Sequence, residues 1–241
     1  MNNEITIEDL SPNHTDFLTG YAKSGLGAIP GFGSLFSEVL GQIIPNQRVD
    51  RIVTFLSILD KKFEQLQIQF DKIESKMKDE EYINLFEEGI WQAARSSSQE
   101  RKEHIASLLA NSLNDEALNE IQQGVLLSLL GELNDIEILI LYQHTMKARN
   151  DEDFHKKYQD ILRGPFAHLG SDQETVNQST IHNTYKEKLI RLNLLKREYK
   201  TPKKGELPEF DDKTGMIKEK SVNLTSLGRL FLKYIDMPDD F

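Results

Sequence analysis

The chain has no cysteine and a single tryptophan, and only seven of its 241 residues are proline. Without thiols, neither a disulfide nor a thiolate metal site can hold the fold, so stability has to come from a packed core. Positive charge is also scarce. The 29 lysines and arginines stand against 39 aspartates and glutamates, leaving a formal charge of −10. A chain of that sign is attracted to DNA or anionic lipid only through a local basic patch. The N-terminal MNNEITIEDL is acidic and lacks the basic and apolar regions of a secretory signal, so the expected location is the cytoplasm.

Catalytic signatures are missing too. There is no HExxH, no phosphate loop, no GxGxxG after a strand and no GxSxG, so no catalytic residue is assigned and a non-enzymatic protein is expected. No cofactor or metal is expected either, and no small-molecule substrate is evident. The six histidines are never spaced as a zinc pair, and His104 and His155 read as solvated. Asp151 and Asp153 match the start of a calcium loop, but Lys156 and Leu162 occupy the positions that need glycine and glutamate.

What is present is helical periodicity. Ile52, Leu56, Leu59, Phe63, Leu66, Phe70, Ile73 and Met77 recur at alternating spacings of four and three, the heptad seam of a helix that faces another helix along its length. The spacing predicts one rod over residues 48–79, roughly 45 Å long at ~1.5 Å per residue. Leu56, Phe63, Phe70 and Met77 at a, with Ile52, Leu59, Leu66 and Ile73 at d, do not follow the rule for parallel dimers. The flanking positions also lack charge-matched pairs. The rod is therefore read as packed antiparallel on its own chain, with self-association as the alternative.

Before the rod lies GYAKSGLGAIPGFGSLFSEVLGQIIP, residues 20–45, the one long stretch poor in charge. Pro30 and the surrounding glycines interrupt a uniform membrane span. From Ser34 an amphipathic helix is expected, with Leu35, Phe36, Val39, Leu40, Ile43 and Ile44 on one face. Two readings follow: a helix docked on the upstream half of the rod, or a membrane-active face exposed on activation. No basic residue lies on the polar side, which argues against constitutive binding to anionic membranes.

Further helices are expected over 82–95, from a Ser97/Glu100 capping box, through Leu118, Ile121, Val125 and Leu129, from an Asn134/Glu137 cap, and from Ser171/Glu174. Residues 149–175 read as an irregular connection with at most a short helix. Glu198–Lys200 and Lys218–Leu224 read as the arms of a hairpin, and a last helix starts at Thr225. The fold class is thus mainly α: a helical bundle with one long heptad helix and a C-terminal module carrying a small β-hairpin. Three segments are expected: an arm and glycine-rich segment over 1–47, a helical body over 48–124 and the hairpin module over 125–241.

Helix, helix, hairpin, helix is the order of a winged-helix unit, and LIRLNLLKREYK followed by SVNLTSLGRLFLKYI resembles its wing and flanking helices over roughly residues 125–237. In DNA-binding members the helix before the wing enters the major groove. That resemblance makes Asn183, Lys186 and Arg191 the candidate nucleic-acid contacts, although the net charge disfavours the role. ERKEHIASLLANSL, LLSLLGELNDIEILIL, LIRLNLLKREY and VNLTSLGRLFLKYI together resemble the ordered blocks of the Abi-alpha (abortive-infection alpha) family of bacterial proteins over roughly residues 98–236. The resemblance implies a role in phage defence and supplies no catalytic residue. The expected partners are another protein or a second copy, with the membrane engaged on activation. A DNA-binding winged-helix regulator is the alternative, and an unrecognised enzyme the third class.

Overall fold

In a computed structural model, residues 46–239 are described except Glu116, Phe166, Leu169, Thr201, Lys203, Lys204, Glu206 and Asp212–Thr214. Residues 1–45, including the expected apolar face Leu35, Phe36, Val39, Leu40, Ile43 and Ile44, lie outside the described residues. The elements in chain order are α1 (Asn46–Gln65), α2 (Phe70–Lys76), α3 (Glu80–Arg95), α4 (Gln99–Asn114), α5 (Glu120–Glu132), α6 (Asp135–Tyr142), α7 (Met146–Arg149), α8 (Glu152–Arg163), α9 (Gln173–Arg191), β1 (Leu195–Tyr199), β2 (Glu219–Leu224) and α10 (Ser226–Tyr234). The architecture is mainly helical with a small two-stranded antiparallel sheet, as the sequence implied.

The chain divides into two units. The first holds the described residues through Glu132 together with Tyr234–Asp236, and the second holds Leu133–Lys233 and the residues from Met237. A boundary at residues 124/125 would have cut through α5, whose continuous backbone hydrogen bonding keeps both of its halves in the first unit.

In the first unit α1 packs on α3 and α4, α3 on α4 and α5, α4 on α5, and α2 on α4. Its core includes Ile52, Phe55 and Leu59 from α1, Phe86 and Ile90 from α3, and Ile105, Leu108 and Leu109 from α4, all fully buried. Each such side chain contributes about 1.5–3 kcal/mol relative to exposure. Residues Tyr234–Asp236 join this unit through polar contacts. Asn111 Nδ2 donates to the Tyr234 carbonyl at 3.1 Å and to Asp236 Oδ1 at 2.9 Å. Lys62 Nζ reaches Asp236 Oδ2 at 2.6 Å, and His104 Nδ1 lies 3.2 Å from the Ile235 carbonyl. His104, expected to be solvated, is a half-buried part of this joint. Burial raises the Asp236 pKa, but the bonds from Lys62, Asn111 and Ser107 outweigh it and hold the carboxyl below its ordinary range.

The expected 48–79 rod is not one helix. It stops at Gln65 and resumes at Phe70. Ile68 N donates to the Phe63 carbonyl and Gln67 N to the Glu64 carbonyl, both at 3.0 Å, with Gln67 at φ 52°. This is a Schellman cap with a glutamine where glycine is usual. The heptad pattern explains the break. A straight helix drifts ~20° per heptad from a 3.5-residue repeat, so eight seam positions turn away from one core by roughly 70° unless the helix supercoils or stops. The break lets both halves present apolar residues. Ile52, Leu56, Leu59, Phe63, Ile73 and Met77 are buried, Leu66 is half-buried, and Phe70 is 42% exposed. Because Gln67 is exposed and in the left-handed region, Gln67→Gly is expected to stabilise the protein by about 0.5–1 kcal/mol, read as a raised urea midpoint.

In the second unit α9 packs on α6 and β1, and α8 on α6 and α7. The Asn134/Glu137 capping box is present as read from the sequence, with both reciprocal bonds made. Two other caps fall one residue later than expected. Ser98 accepts from Arg101 N and Asp172 from Thr175 N. Residues 149–175, expected to hold at most a short helix, contain the three turns of α8, capped by Asp151 accepting from Phe154 N. Phe154 stacks edge-on against Tyr142 with ring centroids 5.2 Å apart, so a single buried aromatic docks a helix whose other faces are polar.

The hairpin pairs Leu195 with Leu224 and Glu198 with Ser221, then Tyr199 with Glu219, so a bulge leaves Lys220 without an opposite residue. Its first strand starts three residues earlier than expected. At its base Thr225 Oγ1 donates to the Asn193 carbonyl at 2.7 Å and accepts from Gly228 N at 2.9 Å. A Cβ on Gly228 would stand 2.4 Å from the Leu194 carbonyl oxygen, so only glycine permits this approach.

Candidate functional site

Two concave surfaces stand out, one in each unit. The first follows from the composition of α5, EIQQGVLLSLLGE, which is apolar nearly all round. Periodicity cannot choose the inward face of such a helix. The face expected inside included Ile121 and Val125. The core instead takes Leu126, Leu127, Leu129 and Leu130, leaving Ile121 66% and Val125 53% exposed. The two residues are one helical turn apart and border a groove of about 530 Å³ between α3 and α5, with Leu85, Leu127 and Leu129 also lining it. The groove has an acidic rim: Glu81 and Glu88 on α3, Glu120 and Glu132 on α5. Glu120 is ion-paired with Lys76, and that hydrogen bond holds its carboxyl below the ordinary range. Gly124 borders open space in the groove, since a Cβ there would meet nothing within 4 Å.

The second surface lies where the sequence placed its nucleic-acid contacts. Asn183 and Lys186, one turn apart on α9, line a pocket of about 470 Å³ in the second unit. Arg191 is exposed at the last turn of α9 and is not part of that pocket. The C-terminal ends of α6 and α8 and strand β2 close the remaining sides. Gly164, at φ 59°, ends α8 against His182, whose Nε2 lies 3.0 Å from the Ile161 carbonyl. A Cβ at that glycine would come within 2.5 Å of the His182 ring.

Three of the cations on this side, Lys186, Lys188 and Arg197, are committed to carboxylates. Lys186 Nζ is 3.3 Å from Glu219, and Arg197 is paired with both Glu219 and Glu187. Burial raises the Glu219 pKa, but its bonds to Arg197 and Lys186 prevail and lower it. The hydrogen bond to Glu187 leads in raising the Arg197 pKa. Lys188 Nζ is 2.9 Å from the buried Glu137. Burial, reinforced by the charges of Arg149 and Lys186, pushes the His144 imidazole down to about 4. A groove-reading helix presents a convex row of donors to base edges. Here two of the three candidate donors border a concavity, and one is paired with an acid.

Among the described residues, no cluster of histidine and acidic side chains could hold a metal ion, and no helix is long and apolar enough to cross a membrane. No family model, curated protein or solved structure matches the chain. The blocks that carry the Abi-alpha resemblance have identifiable positions in the fold. Asn111 of LLAN binds the backbone of the terminal KYI block, and the Asn193 carbonyl accepts from Thr225 of VNLTSLG. Glu137 in the ELNDIE block binds Lys188. Each is a joint between elements within one unit.

Proposed function

We propose that this chain is a non-enzymatic, cytoplasmic protein-interaction module whose α3–α5 groove receives a basic amphipathic helix of a partner protein. The exposed pair Ile121 and Val125 inside an acidic rim carries the reading. Apolar anchors at i and i+4 of a docking helix would cover that pair, while lysines or arginines on its flanks would meet Glu81, Glu88 and Glu132. The Abi-alpha resemblance over residues 98–236 supplies the setting, a bacterial phage-defence component. In this reading residues 20–45 form the effector segment, turned towards the membrane when the partner or another trigger acts.

The test uses a helical peptide with leucines at i and i+4 and lysines on its flanks, alongside a copy carrying glutamates in place of lysines. The lysine peptide is expected to bind the full chain, to weaken with salt, and to lose at least tenfold in affinity to Ile121→Asp with Val125→Asp. Both positions are exposed, so the fold should survive. Equal binding of the two peptides, binding of neither, or a dimer of the parent chain that this double variant dissolves would overturn the reading.

The order α8, α9, hairpin, α10 and the exposure of Arg191 favour a second reading, a winged-helix DNA-binding regulator. Under it, a duplex would bind at moderate salt and be lost with Lys186→Ala plus Arg191→Ala.

A further inference from the structure

We infer that the pocket framed by α6, α8, α9 and β2 is a binding site for a small organic phosphate. Three cationic side chains converge on it from three separate elements: Arg163 from α8, Lys186 from α9 and Lys220 from β2. In a chain of charge −10, that concentration runs against the overall balance. Glu219, the one acid among the described lining residues, is already held by Lys186 and Arg197, so it does not cancel the other two cations. Arg163 and Lys220 are exposed and make no ion pair with a described residue. Lys220 is the residue that the hairpin bulge leaves unopposed, and bulges commonly re-aim a side chain next to a functional site.

The remaining lining fits the organic part of such a ligand. Ile140, Leu162 and Val222 provide an apolar wall, and Asn183 and Ser221 provide neutral hydrogen-bonding groups. A volume of about 470 Å³ lies within the range of roughly 300–1,000 Å³ found for small-molecule pockets. It is far larger than a phosphate ion requires. Burial is the main cause of the depressed His144 pKa, and the charges of Arg149 and Lys186 beside the pocket add to it.

The experiment is isothermal titration of the full chain with inorganic phosphate, glucose 6-phosphate, AMP and ATP, and with a 12-base-pair duplex. Arg163→Glu with Lys220→Glu is the variant, and an unchanged melting curve is expected because both side chains are exposed. At least one organic phosphate should bind tenfold or more tightly than inorganic phosphate, and the variant should lose at least tenfold of that affinity. In the bound parent, the His144 ring should titrate at higher pH than in the free protein, because an anion beside it favours the imidazolium. Silence across the phosphates would overturn the inference. Inorganic phosphate binding as tightly as every organic one, or affinity indifferent to the charge reversal, would do so as well. Duplex binding that the variant abolishes, without binding of the small phosphates, would assign the surface to nucleic acid instead.

Discussion

Phe63→Asp is expected to unfold the first unit. Phe63 is 4% exposed near the end of α1, and its carbonyl closes the Schellman cap that turns the chain towards α2. A carboxylate at this buried position would lose its hydration. The loss should exceed ~3 kcal/mol when the missing aromatic packing is included. Total stabilities are commonly about 5–15 kcal/mol, so a large fraction of the margin disappears. Far-UV circular dichroism and urea titration would show a collapsed midpoint or an unfolded chain. The same variant examines the seam. A well-folded monomer from an oligomeric parent would mean that Phe63 faces another molecule, and the intrachain packing of α1 on α3 and α4 would not be what buries it.

Lys188→Met should have the second largest effect. Glu137 is buried, with its carboxylate accepting from Asn134 N at 2.8 Å and from Lys188 Nζ at 2.9 Å. The Asn134 bond caps α6, while the lysine comes from α9, so the pair fastens two helices of the second unit. Methionine would keep the aliphatic volume and remove the cation that pairs with Glu137. The expected loss is about 3 kcal/mol, the low end for broken buried pairs, because the lysine side chain retains some contact with water. Glu137→Gln in the same chain should restore most of it, since a neutral amide oxygen can still accept from Asn134 N without a buried charge. Urea midpoints of the two single variants and the double variant check this. A single-variant loss below about 1 kcal/mol would show that the pair is solvated.

The sequence by itself determined the fold class and most of the helical punctuation. Asn134 with Glu137 specifies a reciprocal cap through backbone chemistry only a few residues wide, and it forms as read. The hairpin and the final helix were legible for the same reason: turn residues and period-two alternation act locally. The Ser97 and Ser171 caps moved by one residue, to Ser98 and Asp172, because adjacent acceptors compete and final geometry chooses between them.

Only the tertiary structure decided the rest. No residue between Gln65 and Phe70 is a glycine or proline, so nothing local announces the break in the rod. It appears because a straight helix cannot hold eight heptad positions against one core. The exposed side of α5 was equally hidden. With apolar residues on every face, periodicity was satisfied by Ile121 and Val125 as well as by Leu126 and Leu130, and the packing of α3 and α4 selected the second set. The cluster of Arg163, Lys186 and Lys220 spans 57 positions of sequence. Charges that far apart carry no shared pattern along the chain; the packing of α8 and α9 with the register of a bulged hairpin brings them together.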